Sequence, residues 1–262
     1  MKKNKLNLET GSIKPFRHLV LAGLLLGACL TSLFAKAPEN NPGQPEPRLS
    51  GEVFRVRTET KGSPFFYDHW SPGTVILVSG AEINDHLLMY NGFIDELIYQ
   101  HPRTYEIIIA DKKLVRGFIL KSNGREDVFK NFSHGPWSGI FRTGTYFRVL
   151  HEGDISLLVH QKVKKAGEVA EYTADGPLIK TKLEANPAYY IVLNDGRVFF
   201  IKRFNRRAFY KILPENREEV RQAFRNSSLR PQTDGHRAEL VKNLDKLIHF
   251  NLPEFNKQLN QL

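Results

Sequence analysis

Between Phe199 and Lys211 the chain reads Phe-Phe-Ile-Lys-Arg-Phe-Asn-Arg-Arg-Ala-Phe-Tyr-Lys, setting Lys202, Arg203, Arg206, Arg207 and Lys211 among the rings of Phe204, Phe209 and Tyr210. Ammonium and guanidinium groups attract carboxylate, sulfate or phosphate, and aromatic faces beside them add stacking and cation–π contact. The segment predicts a binding surface for an acidic glycan, a lipid headgroup or an acidic partner, with Lys202, Arg203, Arg206, Arg207, Phe204 and Tyr210 as contacts. A plainer reading fits the same residues: a strand leaves a sheet and makes a solvated basic turn before a helix opening at Pro214.

Two further segments are candidates on composition. From Asn131 to Tyr146, three glycines and a proline surround His134 and Trp137. Loops held by a rigid scaffold carry function disproportionately, so His134 and Trp137 join the candidate binding residues, although a crossover between two sheets would look the same. The stretch Lys61–Gly73 carries Phe65, Phe66, Tyr67 and Trp70. Those rings plug one end of a sheet in the bland reading and form a stacking platform in the sharper one.

Catalytic patterns are missing from the sequence. It has no Gly-x-Ser-x-Gly elbow, no glycine-rich phosphate loop and no His-Glu-x-x-His. His151 and His160 are placed to meet across one hairpin, a weak hint of a site. Asp68-His69, Asp85-His86 and His151-Glu152 are neighbours whose side chains leave a strand on opposite faces. The expectation is therefore no catalytic residue, no metal and no cofactor. A glycosidase pair of distant acids leaves no local trace, so a carbohydrate- or peptidoglycan-active hydrolase stays as the alternative.

The chain's formal net charge of +10 invites a nucleic-acid reading, but residues 1–37 hold six basic side chains against one acid. About half of the excess thus belongs to what reads as an export leader: a basic start, then an apolar run over residues 19–34. Export makes nucleic acid an improbable partner. Leu26-Gly27-Ala28-Cys29 has the form of a lipobox, which would place a lipid on Cys29, the one cysteine of the chain. Ala35-Lys36-Ala37 offers a competing cleavage site, followed awkwardly by Pro38. Residues 1–36 are thus assigned to the leader and 37–49, with four prolines, to an extended tether.

The scaffold reads as β. Gly73–Leu120 is a series of short apolar runs separated by Gly, Asn, Asp and Pro, the pattern of an antiparallel meander. Asn91-Gly92 suits a type I′ turn between Leu87–Tyr90 and Phe93–Tyr99, and Asn123-Gly124 offers a second. Further hairpins are expected from Tyr146–Leu150 with Ile155–His160 and from Tyr189–Leu193 with Val198–Lys202, and a first strand over Gly51–Thr58. After Pro214 the period changes. Val220 and Phe224, then Leu240, Val241, Leu244, Leu247 and Ile248, mark the inner faces of two helices. The expectation is a mainly β fold over 50–212, an antiparallel meander, sandwich or partly open barrel, with two C-terminal helices in 213–262 packed on it.

With the leader and tether, Gly73-Thr-Val-Ile-Leu, Leu87-Leu-Met-Tyr-Asn, Asp95-Glu-Leu and Phe147-Arg-Val-Leu-His-Glu-Gly, the chain resembles exported β-rich proteins of unassigned function found in Bacteroidota. The resemblance is one of pattern, over about residues 50–250. Taken with the export leader and the basic segment, the expectation is a periplasmic or outer-membrane-associated binding or scaffold protein whose partner is an envelope protein or an acidic glycan. The resemblance brings no catalytic motif.

Overall fold

The computed structural model describes residues 48–55, 60–132, 144–174, 176–227 and 231–248. Cys29, the leader, nearly all of the tether, His134 and Trp137 lie outside the described residues. Among those described, the chain runs β1 (Gly51–Val53), β2 (Thr60–Lys61), β3 (Ser71–Leu77), β4 (Glu82–Asn91), β5 (Glu96–Gln100), β6 (Ile107–Ala110), β7 (Val115–Ser122) and β8 (Arg125–Asn131). It continues with β9 (Tyr146–His151), β10 (Ile155–His160), β11 (Val163–Thr173), β12 (Gly176–Ala185), β13 (Ala188–Leu193) and β14 (Val198–Ile201). Three helices follow: α1 (Arg206–Ile212), α2 (Arg217–Asn226) and α3 (Asp234–Leu247).

Eleven strands form one sheet in the order β1-β6-β5-β4-β3-β7-β8-β9-β10-β13-β14, antiparallel at every step. The meander and both later hairpins stand where the sequence places them. Their turns divide in an instructive way. Asn123 and Gly124 take φ of 51° and 72° between paired Ser122 and Arg125, which is the two-residue turn expected there. Asn91-Gly92 does not make such a turn. Asn91 pairs with Glu96, so the loop is four residues long, and the positive φ falls on Asp95 at 58°. Asn91 instead accepts from the Phe93 and Ile94 amides through its side chain. Gly92 is needed for close approach: its carbonyl accepts from Val163 N, and a Cβ on it would stand 2.1 Å from the Gln161 carbonyl oxygen.

The sheet is strongly curled. Tyr90 of β4 and Tyr146 of β9 are four strands apart in order, about 19 Å in a flat sheet. Their ring centres lie 6.2 Å apart. Phe118 and Phe129 stack between them at 4.6 Å, and all four rings are buried. The meander thus wraps around its own aromatic core without closing into a barrel. The loop before β3 adds to it, with Phe66 edge-on to Phe129 at 5.5 Å and Tyr67 at 4.5 Å from Phe66. Those two rings seal the core, which is the bland reading of the aromatic loop.

Beyond β9 the same inner face is covered by helices. Ile155, Leu157, Ile191, Leu193 and Ile201 pack against Phe209, Val220, Leu240, Val241 and Leu244. The two helices expected after Pro214 are α2 and α3, and Leu240, Val241, Leu244 and Ile248 are buried as their spacing requires. The third, α1, is a difference. Its stretch reads in sequence as a strand exit and turn, yet Asn205 caps the Ala208 amide at 3.0 Å, and Phe209 and Ile212, three apart, bury the inner side.

β11 and β12 make a long ribbon in a second sheet, with β2 added in parallel to β12. The sequence gives no sign of it, because both of its faces are wet and its apolar residues do not alternate. Tyr172 is 86% exposed and Ile179 55%.

Candidate functional site

The basic segment sits where β14 gives way to α1. Buried Ile201 ends the strand, Asn205 caps the helix, and Lys202, Arg203, Arg206 and Arg207 are left exposed around that bend. A groove lies on each side of it. The first, about 650 Å³, runs between β14 and α1, bounded by Phe199, Phe200, Arg207, Ala208 and Lys211. The second, about 680 Å³, lies toward the α2–α3 junction, bounded by Tyr189, Phe204, Arg206, Phe224, Gln232 and Arg237. Lys202 and Arg203 line both.

Of the residues singled out in sequence, Lys202, Arg203, Phe204, Arg206 and Arg207 therefore converge. Tyr210 lines neither groove; the Arg217 guanidinium lies over its ring at 5.4 Å. Lys211 joins Arg207 one turn along α1. Among the described residues no carboxylate lines either groove. Among the described residues none of Lys202, Arg203, Arg206, Arg207 and Lys211 forms an ion pair, so their charge is turned outward. Sequence reasoning misses Tyr189 and Arg237, which shape the second groove. Phe204 meets Tyr189 edge-on at 5.4 Å, and the Arg237 guanidinium covers both rings, at 5.2 and 4.4 Å. No local signal marks these two, since they come from β13 and α3.

A chain of polar contacts fixes this corner to the curled half of the sheet. Buried Arg148 donates to Asp127 at 2.9 Å and to Asp234 at the start of α3. Tyr67 donates to Asp127, and Tyr189 to Asp234 at 2.7 Å. Arg237 donates to Asp234 at 3.0 Å and also to the Tyr189 hydroxyl. Burial, reinforced by bonds to the two carboxylates, pushes the Tyr67 and Tyr189 phenols up to about 12. Each of these groups is held by a partner, so the chain reads as a brace.

A second cluster surrounds Asp95. Its carboxylate accepts from Tyr90 at 2.7 Å and Lys112 at 2.8 Å, while His160 Nε2 stands 3.5 Å away, a distance that suits electrostatic contact better than a hydrogen bond. Burial alone would raise this carboxyl; the His160 ring and the Lys112 ammonium outweigh it and hold it below its ordinary value. His160 thus points away from His151, whose Nε2 meets Asp245 of α3 at 2.9 Å. The two histidines bind different carboxylates at different places, and the expected meeting across the hairpin does not occur. Among the described residues no group of three His, Cys, Asp or Glu is arranged to hold a metal ion.

Compared with protein-family models, curated proteins and solved structures, the chain matches none of them. The functional reading rests on its own residues.

Proposed function

We propose that the chain is a binding or scaffold module of the cell envelope that holds an acidic glycan or an acidic partner protein on the surface around Lys202–Lys211. The observation that supports this is the pair of grooves flanking one bend, lined by five outward cations and aromatic faces and, among the described residues, by no carboxylate. Cations left without internal partners at a concave, partly apolar surface raise the local concentration of polyanions and give them a place to settle. A glycan hydrolase remains the second reading, and it would need two acids facing its substrate. The described acid beside Tyr189 and Arg237 of the second groove, Asp234, is engaged by Arg148, Tyr189 and Arg237.

Export, and attachment through a lipid on Cys29, belong to the same proposal and rest on the leader sequence. Among the described residues no helix is long and apolar enough to cross a membrane. Labelled palmitate incorporated by the wild type and lost in Cys29→Ala is the expected result for a lipoprotein. The binding reading is tested with the triple variant Arg203→Glu, Arg206→Glu, Arg207→Glu against a uronate oligosaccharide and an acidic peptide. The wild type binds at least one of them in a salt-sensitive way, and the variant loses at least about tenfold in affinity with its circular dichroism unchanged. Equal binding by both proteins ends this assignment of the site.

A further inference from the structure

We propose that the groove between β14 and α1 takes up an extended acidic segment of a partner protein as an added strand on β14. The inference rests on the anion-binding reading of the same surface and names its partner.

Among the described residues β14 is the last strand of its sheet and pairs on one side only, with β13. The Leu193 amide donates to the Arg197 carbonyl at 3.0 Å, which sets the phase of the ladder. Hydrogen-bonded pairs then fall at Arg197, Phe199 and Ile201, because such pairs alternate in an antiparallel ladder. The N–H and C=O groups of Val198 and Phe200 consequently face away from β13, into open space. An unpaired row of this kind is a template for another strand.

The groove has the shape such a strand requires. The free edge of β14 forms one wall and α1 the other, separated by about 650 Å³ of open volume. Four strand residues extend for about 13 Å, so the edge offers room for a segment of about that length. On the helix side an added strand would meet Phe199, Ala208 and Ile212, with Arg207 and Lys211 above them. On the other side it would cover Phe200, which is 60% exposed. Lys202 and Arg203 close the end of the groove. The occupant that fits is an extended peptide alternating apolar and acidic side chains. A glycan would use the same cations but has no ladder of amides for Val198 and Phe200. That difference favours a polypeptide. The competing account is edge protection: β14 is short, and basic residues follow it.

The full chain is titrated with a short peptide of alternating Glu and Val, with the same peptide N-methylated on the amides of one register, with its counterpart methylated on the other register, and with a uronate oligosaccharide. The expected result is that the plain peptide binds, that one methylated form loses about tenfold or more, and that the other keeps its affinity. Phe200→Pro, which removes an outward N–H at a position where an edge strand tolerates proline, weakens the plain peptide to a similar extent. The methylated peptides use wild-type protein, so their result does not depend on that variant folding. Plain and both methylated peptides binding alike overturns strand addition and leaves anion binding standing. Binding of the oligosaccharide alone also overturns it and assigns the surface to a glycan. No binding by any probe removes both readings.

Discussion

Arg148 shows how much of this molecule turns on single residues that the sequence does not advertise. It sits in Phe-Arg-Val-Leu-His, where alternation marks it as part of a strand and nothing marks it as buried. Its side chain is only 6% exposed, lying between Asp127 and Asp234 with its guanidinium 4.9 Å above the Phe66 ring. The partners are 21 and 86 residues away, beyond the reach of any local pattern. The Arg148→Ala substitution would leave the buried Asp127 carboxylate without its cation and Asp234 with Arg237 alone, and it is expected to cost about 3–5 kcal/mol of stability in urea unfolding. The tyrosines on the same brace give an alkaline signature. Their phenols titrate near 10 when unfolded and near 12 in the fold, so the neutral form is favoured by folding. That contribution is complete below pH 10 and is lost as pH rises through 12. The wild type should therefore lose stability across this window, and the Tyr67→Phe Tyr189→Phe variant should lose less of it. Asp95 acts in the opposite sense. Its carboxyl is held below 3.8, so its contribution is present above that pH and fades as pH falls through the lower folded value. Asp95→Asn keeps an acceptor for Tyr90 and tolerates the positive φ, and it should flatten the acid limb of the stability profile.

Strands and helices were legible in proportion to how one-sided they are. The hairpins around Glu152–Asp154 and Asn194–Gly196 have an inner and an outer face, and their turns need Asp, Asn and Gly, so both are readable in the chain. The later helices have one apolar side and were readable for the same reason. α1 is short and its outward side is all cations, which hid the Phe209–Ile212 spacing behind the charge. The β11–β12 ribbon was not legible at all. It buries Leu183 at its base but no large side chain toward its tip; Asn186 N to Lys162 O closes the base, and Val163 N to Gly92 O ties it to the body. Its outer part should therefore be dispensable. Replacing residues 169–180 by a short turn removes half-exposed surface ion pairs such as Glu171 with Lys180, which count for little, and leaves the base and its pairing with β2 intact. The shortened chain is expected to unfold in a single transition with a melting temperature within about 4 °C of the intact one. A collapse of the transition would mean that the ribbon supports the sheet.

At the scale of the whole molecule, one sheet serves two cores on its inner face, with a smaller cluster of Phe132, Phe147, Leu158 and Val192 besides. From β3 to β9 it curls until Tyr90 reaches Tyr146, and beyond β9 it relies on the three helices to cover the same face. The curl was not readable from sequence, because alternation reports which residues face inward and not how far the sheet bends. The two cores meet at Arg148, and α3 is tied at both ends: Asp234 holds Arg148 and Tyr189, and Asp245 accepts from His151 and from the Ile155 amide at 2.8 Å. A helix bound this way should not detach alone. Leu244 is fully buried on its inner side in the last turn, so Leu244→Ala is expected to remove about 2–5 kcal/mol. Amide exchange then tells whether the molecule opens as one. With a single cooperative unit, the slowest amides of β4 and β7 and those of α3 speed up by the same factor in the variant. Acceleration confined to α3, β13 and β14 would show that the helical half opens separately. The grooves around Lys202 would then belong to a unit that can open while the curled meander stays folded, and ligand bound there should slow exchange in that half alone.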